Sequence, residues 1–336
     1  GLIESTDSVS IKGECDIEIT NTKTGKKFNI PYGNIHVVKM ANVSREIIFE
    51  KIRFDADIRI ISTKSDKKII VNGKRYCGSI ILKINNRKKL TVVNELGIEK
   101  YICGIMTKEV SPSWSVESLK AQAVVARTYA IKNFNRHGDN GFDLCCKTHC
   151  QVYGGFDSED ERSNKAVYAT DGEVLKYNGE IINAFYSSSC GGRTENVINV
   201  WSDSGTKNPE YLAGVKCGFC KADKWHNWLR TISLKTVKSS LLSAGYKVGD
   251  VKKIKTLGTT QSGRIKEVLI EHSKGKLYLQ SSKFRSAIDT NIIRSTNFSV
   301  KTKKGTAYFN GHGWGHGVGM CQWGAKGMAE NGWDYK

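Results

Sequence analysis

Ten cysteines are spread so unevenly along this chain that they constrain its fold before any other feature does. Cys145, Cys146 and Cys150 crowd one stretch together with His137 and His149, and Cys217 and Cys220 form a second group with His226 close behind. Cys15, Cys77, Cys103, Cys190 and Cys321 are dispersed. Ten is too many for an inert cytosolic domain and too few for a disulfide-dense scaffold, and cysteines interleaved with histidine point to metal before disulfide. His137, Cys145, His149 and Cys150 offer four soft or borderline donors within 14 residues, enough to close tetrahedrally around Zn²⁺. Cys146 is the alternative to Cys145, because adjacent cysteines do not both reach one metal without strain. The competing reading is a set of free or disulfide-linked thiols. Cys217-Gly-Phe-Cys220 is a lone CxxC and reads two ways: a disulfide, within the pair or to Cys190, or a second metal site.

A chain of 336 residues makes one large domain or two ordinary ones, and its 3 prolines exclude a proline-rich linker. Lysine and arginine total 52 against 33 acidic residues, a net charge of +19 that sets up a long-range positive field. Such a field suits nucleic acid, an anionic membrane or an anionic polymer such as cell wall, and equally describes a solvated lysine-rich surface. The basic groups sit beside turn formers and lack the interleaved aromatics of a single-strand platform, so nucleic acid is not the expected partner. No run of about 20 apolar residues is present, so no segment reads as a membrane span. The chain opens on Gly1 rather than Met, and a membrane anchor is expected to lie outside it.

Periodicity predicts an α+β protein: a β-rich N-terminal region over residues 1–95 and a mixed helix–strand domain over 96–336. Weak alternation over 47–61 and β-branched runs at 68–71, 79–84 and 90–93 are separated by turn signals such as Asn72-Gly73. Residues 96–110 read as a helix that stops before Ser111-Pro112, since the residue before proline avoids the α region. Ser115 then caps a second helix, with Glu117 in its first turn. Val116, Leu119, Ala123, Ala126, Ala130 and Phe134 recur at spacings of three and four, the pattern of an amphipathic helix over 116–134. Beyond a His/Gly/Asp/Cys loop at 137–156, strand-like pieces lie at 174–177 and 181–186, a helix at 231–245, and strands at 252–257, 265–272 and 277–279. The tail at 311–332 is glycine-rich.

Glu109 is the candidate acid. Breaking a glycosidic bond needs a carboxyl that protonates the leaving oxygen, usually inside a partly apolar cleft. Glu109 ends a helix and is followed by Val110, Pro112 and Trp114; the local sequence also fits an ordinary surface glutamate. Ser187, Ser188 and Ser189, followed by Gly191-Gly192, offer hydroxyls and exposed backbone N–H groups to a sugar. No nucleophile elbow accompanies them, which counts against Ser–His catalysis with His316. The flexible block carrying His312 and His316 suits close approach to a polymer, or hydrogen bonding within a tight loop.

Five blocks together resemble the stage II sporulation protein D family. They are KEVSPSWSVESLKAQAVVARTYA, HCQVYGG, AFYSSSCGGRTENV, IIRSTNF and GHGWGHGVGMCQWGAKGMA, in that order across residues 96–336. Amidase-enhancer proteins share the same blocks. The resemblance implies an extracytoplasmic protein of the cell membrane and wall of a spore-forming bacterium. It implies a lytic transglycosylase that cuts peptide-stripped peptidoglycan between N-acetylmuramic acid and N-acetylglucosamine during engulfment. Glu109 matches the family's catalytic glutamate, and Arg127, Gln151 and Gln322 match its blocks as substrate-cleft candidates beside Ser187, Ser188, Ser189 and His316. Clostridial members carry a similar Cys…His-Cys arrangement before Gln-Val-Tyr, where a structural zinc is expected; the reaction needs no metal-activated water. The implied partners are glycan strands and other engulfment proteins such as an amidase. The alternative is a non-catalytic wall-binding module that stimulates that amidase.

Overall fold

Burial with a period of two runs through the first 95 residues. Along Ile17–Asn21 and His36–Met40 every second side chain is buried, as a strand with one face on a core requires. The computed structural model describes residues 1–41, 44–201 and 208–336, in two compact units, Gly1–Lys176 and Tyr177–Lys336. Its architecture is α+β, with the β-rich N-terminal region that the sequence predicts.

In the first unit, twelve strands form two six-stranded antiparallel sheets that share one apolar core, including Ile11, Ile19, Val38, Phe49, Ile60 and Leu82. The expected hairpin at Asn72-Gly73 joins Ile69–Val71 to Lys74–Tyr76. Both turn residues have positive φ, 48° and 80°, the geometry that matches the twist of the flanking strands. The alternation over residues 47–61 is not one strand. Glu50 at φ 54° closes a hairpin between Ile47–Phe49 and Ile52–Phe54, and Ile58–Ser62 belongs to the other sheet.

Three helices complete this unit: α1 (Ile98–Glu109), α2 (Val116–Lys132) and α3 (Glu161–Tyr168). Val110 is extended at φ −139°, so α1 stops where Pro112 demands. Ser115 caps α2, its Oγ accepting from the Ser118 N–H at 3.4 Å. The amphipathic expectation for α2 needs correction. Val116 and Phe134 are exposed, at 43% and 72%, while every side chain from Gln122 to Ala130 is buried. The alanines are small enough to admit neighbours on several sides, so the helix runs through the core instead of lying on it.

In the second unit two antiparallel three-stranded sheets share a core with α4 (Leu234–Ser243) and α5 (Ser281–Ile288). One sheet is Asn227–Ser233, Thr306–His312 and Phe298–Lys303; the other is Val251–Thr259, Ile265–His272 and Gly275–Gln280. Residues 231–233, expected in a helix, finish a strand whose partner lies some 75 residues away at Thr306–Tyr308. The expected strands at 174–177 and 181–186 shrink to two-residue pairings. A helix missed by the glycine-rich reading of the tail, α6 (Gln322–Glu330), follows Met320–Cys321, which pairs in parallel with Tyr186–Ser187.

Candidate active site and metal centres

Glu109 is the last residue of α1 and is half-buried. The chain leaves it through Ser111-Pro112-Ser113, and Trp114 returns to pack on the core formed by α1, α2 and α3. Glu109 therefore stands at the edge of an apolar core, beside a rigid turn. One cavity of this unit, about 640 Å³, is elsewhere: it is lined by Ile98, Tyr101, Ile131, Phe142 and Cys145. Since α1 is roughly 16–18 Å long, that cavity opens toward the opposite end of the helix from Glu109.

Arg127 and Gln151 hold this unit together from within. Arg127 is wholly buried, and all its N–H groups are engaged. Nε and Nη2 donate to the two Glu99 carboxylate oxygens at 2.8 and 2.6 Å, and the rest reach the Glu173 and Val167 carbonyls and Thr170. Burial pushes the Glu99 carboxyl up, but the hydrogen bonds and charge of Arg127 together with the Gly172 N–H outweigh it and hold the group below its usual range. Gln151 is also buried. Its Nε2 donates to the Ala126 carbonyl at 3.1 Å, tying the segment after the cysteine–histidine loop to α2.

That loop brings His137, Cys145, His149 and Cys150 together, with one donor atom from each lying within 4.8 Å of the others. Cys150 Sγ lies 3.3 Å from His137 Nε2 and 3.6 Å from His149 Nδ1, and Cys145 Sγ lies 3.8 Å from His149 Nδ1. A tetrahedral ion with Zn–S and Zn–N bonds of ordinary length would set sulfur–nitrogen edges of about 3.6 Å, so the four residues fit such an ion. Cys146 is excluded from the group: its thiol turns away to the Leu2 carbonyl at 3.3 Å. Of the two adjacent cysteines, the cluster takes Cys145.

In the second unit the serine loop is less open than its composition suggests. Ser187 and Ser189 are buried, with hydroxyls that find no partner among the described residues, and Ser188 is half-buried. Ser189 exchanges two backbone hydrogen bonds with Trp314, at 3.0 and 2.8 Å, which fixes this loop to the glycine–histidine block. Gly313 has φ 72°, and a Cβ there would lie 2.5 Å from the Ser189 carbonyl, so this approach requires glycine. His316 accepts from the Val318 N–H through Nδ1 at 3.1 Å, and its other nitrogen faces the Tyr186 backbone. Burial, reinforced by Arg264 and Arg285, pushes its pKa down to about 4, so the ring is neutral. Gln322 is buried at the start of α6.

Two residues that the sequence reading passed over organise this loop system. Arg264 is fully buried and donates to the carbonyls of Gly315 and Cys190. Glu195 is buried and accepts from Thr260, Ser262, Asn199 and its neighbour's N–H. Burial raises its pKa, and these four donors more than compensate, leaving a carboxylate. No local signal marks either residue; both acquire partners from distant parts of the chain.

The lone CxxC also has distant partners. Cys217 and Cys220 meet Cys190 and Cys321, one donor sulfur from each within 4.8 Å of the others, and the four could hold a metal ion. Hydrogen bonds among the thiols, chiefly with Cys190, push Cys220 down and Cys321 up.

Comparison with known proteins fits these two regions. Residues 86–177 match a family model described as stage II sporulation protein, and residues 202–319 match one described as a domain of unknown function. The chain is 35% identical over 267 residues to an uncharacterized protein of Brachyspira hyodysenteriae, covering 79% of this chain and 70% of that one. It is 28% identical over 258 residues to stage II sporulation protein D of Bacillus subtilis, covering 71% of each. The chain belongs to the stage II sporulation protein D family. Within that family it is also similar to the amidase enhancer of Bacillus subtilis, 33% identical over 319 residues, covering 81% of this chain and 43% of the relative. The sporulation-protein model spans Glu109, the buried Arg127–Glu99 pair and the cysteine–histidine cluster. The second model takes in Cys217, Cys220 and His316, and ends before Cys321.

Proposed function

We propose that this chain is a peptidoglycan lytic transglycosylase with Glu109 as its single catalytic acid and base. The observation that carries the reading is the setting of Glu109: a half-buried carboxyl at the C-terminal end of a helix locked into the core, beside a turn whose Trp114 packs on that core. The similarity to the family supports reading Glu109 as its matching glutamate.

The reaction uses one carboxyl twice. Glu109 donates its proton to the glycosidic oxygen between N-acetylmuramic acid and N-acetylglucosamine, and the C1–O bond breaks as N-acetylglucosamine leaves with that proton. The resulting carboxylate takes the proton of the muramic acid C6 hydroxyl as that oxygen bonds to C1. A 1,6-anhydro end forms, the acid is regenerated, and no water is consumed. A retaining hydrolase would need a second carboxyl about 5 Å away; this route does not. Ser188, Ser187, Ser189, His316 and Gln322 are proposed sugar-side residues of the second unit. The proposed role of Arg127 and Gln151 is to fix α1 and α2, and through them Glu109. Zinc held by His137, Cys145, His149 and Cys150 would supply structural cross-linking, pinning the loop that leads into Gln151.

The substrate is glycan stripped of its stem peptides, in the envelope of a spore-forming bacterium, and the net charge of +19 would draw the protein to anionic wall polymer. Digestion of denuded glycan strands followed by mass spectrometry tests the reading: anhydro-muramic ends are expected, and reducing ends or intact strands would refute it. The similarity to an amidase enhancer supports a second reading, a wall-binding module that stimulates an amidase. Stimulation that survives Glu109→Ala, without any glycan cleavage by the parent protein, would establish that second reading.

A further inference from the structure

We propose that Cys190, Cys217, Cys220 and Cys321 form a second metal centre, a tetrathiolate zinc site that staples together the loops of the second unit. Four sulfurs converge on one point: all lie within 4.8 Å of one another, and Cys190 and Cys220 are 3.7 Å apart. Tetrahedral coordination with Zn–S bonds of about 2.3 Å sets sulfur–sulfur edges of about 3.8 Å, so the cage has the right size. Two disulfides would bring the sulfurs together in pairs, whereas here all four face a common centre.

The surroundings are built for thiolates. The Cys190 N–H points at Cys321 Sγ at 3.2 Å and the Gly324 N–H at 3.3 Å, and Cys321 caps α6, a nine-residue helix whose positive end favours negative sulfur. Cys190 and Cys220 are wholly inaccessible and Cys321 nearly so, and this cluster contains little besides the cysteines and Trp323. Four ionised thiols cannot be buried together without a cation. A thiol that merely filled space would pack against aliphatic groups.

Shape agrees with this assignment. A Cβ on Gly324 would lie 2.7 Å from Cys217 Sγ, and one on Gly327 would lie 2.1 Å from the Phe219 carbonyl. The bare face of α6 is thus what lets the Cys217–Cys220 turn approach. The ligands come from three separated segments: the end of the serine loop, the CxxC turn and the start of α6. The serine loop and the segment around the start of α6 also meet through the pairing of Tyr186–Ser187 with Met320–Cys321, the Ser189–Trp314 and Glu195–Val318 bridges, and the Trp323 N–H donating to the Ser188 carbonyl. A metal cross-link supplies the rigidity that so small an apolar core cannot.

The test uses the full chain, purified without chelator, and does not depend on glycan cleavage. Two zinc ions per chain are expected by elemental analysis, with an average X-ray absorption shell of three sulfurs and one nitrogen, because the first centre holds two of each. Cys145→Ser/Cys150→Ser removes the first centre and should leave one zinc in a pure four-sulfur shell; cobalt in its place should give intense thiolate charge-transfer absorption. Cys217→Ser/Cys220→Ser should lose that signal and keep the other zinc. A parent chain with one zinc and a two-sulfur, two-nitrogen shell would overturn the proposal, as would a disulfide among these four cysteines in peptide mapping. The parent-chain measurement decides the matter even if a variant fails to fold.

Discussion

Arg127 of α2 grips both carboxylate oxygens of Glu99 on the first turn of α1, at 2.8 and 2.6 Å, with the guanidinium wholly out of water. The pair joins two helices whose other ends carry the proposed chemistry, since Glu109 closes α1 and the Pro/Trp turn opens α2. A bidentate buried pair fixes angle as well as distance. The proposed role of the segment that contains Arg127 is therefore to position Glu109.

Removing one partner leaves the other charge buried. Arg127→Ala should cost about 3–5 kcal/mol of stability, measured by urea unfolding, and Arg127→Lys should recover only part of it, because lysine cannot make the fork.

Gly104 offers a test in which helix propensity and packing oppose each other. Alanine normally stabilises a helix interior by about 1 kcal/mol over glycine. At Gly104 the new Cβ would lie 2.3 Å from the Tyr153 ring, and overpacking costs about 1–3 kcal/mol. Gly104→Ala is expected to lower the unfolding midpoint; a rise would show that the ring yields freely.

Glu109→Gln keeps size and hydrogen bonding but can neither give nor take the proton. Anhydro-end formation from denuded glycan should fall by about 10²–10⁴-fold while sedimentation with insoluble wall is unchanged. Equal loss of both would point to misfolding or to a binding role.

Metal removal should be felt locally. Cys150→Ser, or prolonged chelation, is expected to release the ion of the cysteine–histidine cluster and to speed proteolysis within residues 137–150, as followed by peptide mapping. Cys146→Ser should change neither, because its sulfur is turned to the Leu2 carbonyl.

His316 gives the protein an acid-sensitive element. Its pKa is about 4 in the fold against 6.5 when unfolded, so between these values the unfolded chain binds a proton that the native protein does not. Stability is unaffected above pH 6.5, falls as the pH drops from 6.5 to 4, and loses about 3 kcal/mol at most by this route. His316→Gln should flatten that part of the stability profile measured by denaturant unfolding; an unchanged slope would exclude His316 as its source.

What the sequence determined by itself was local. Proline at 112 ended α1, Ser115 began α2, Asn72-Gly73 made its hairpin, and residues 265–272 were a strand at the limits expected, because each of these signals acts within a few residues of itself. The cysteine–histidine ligands were readable for the same reason: all four fall within 14 residues. Tertiary structure alone decided that Cys145 and not Cys146 joins them, because adjacent side chains leave the backbone in different directions. It also decided that Arg127 is spent on Glu99 and that residues 231–233 are a strand. The fourth sulfur beside the CxxC turn came from Cys321, a residue far along the chain. Each of these depends on which distant segments are brought together by burial of apolar surface, and no spacing along the chain encodes that.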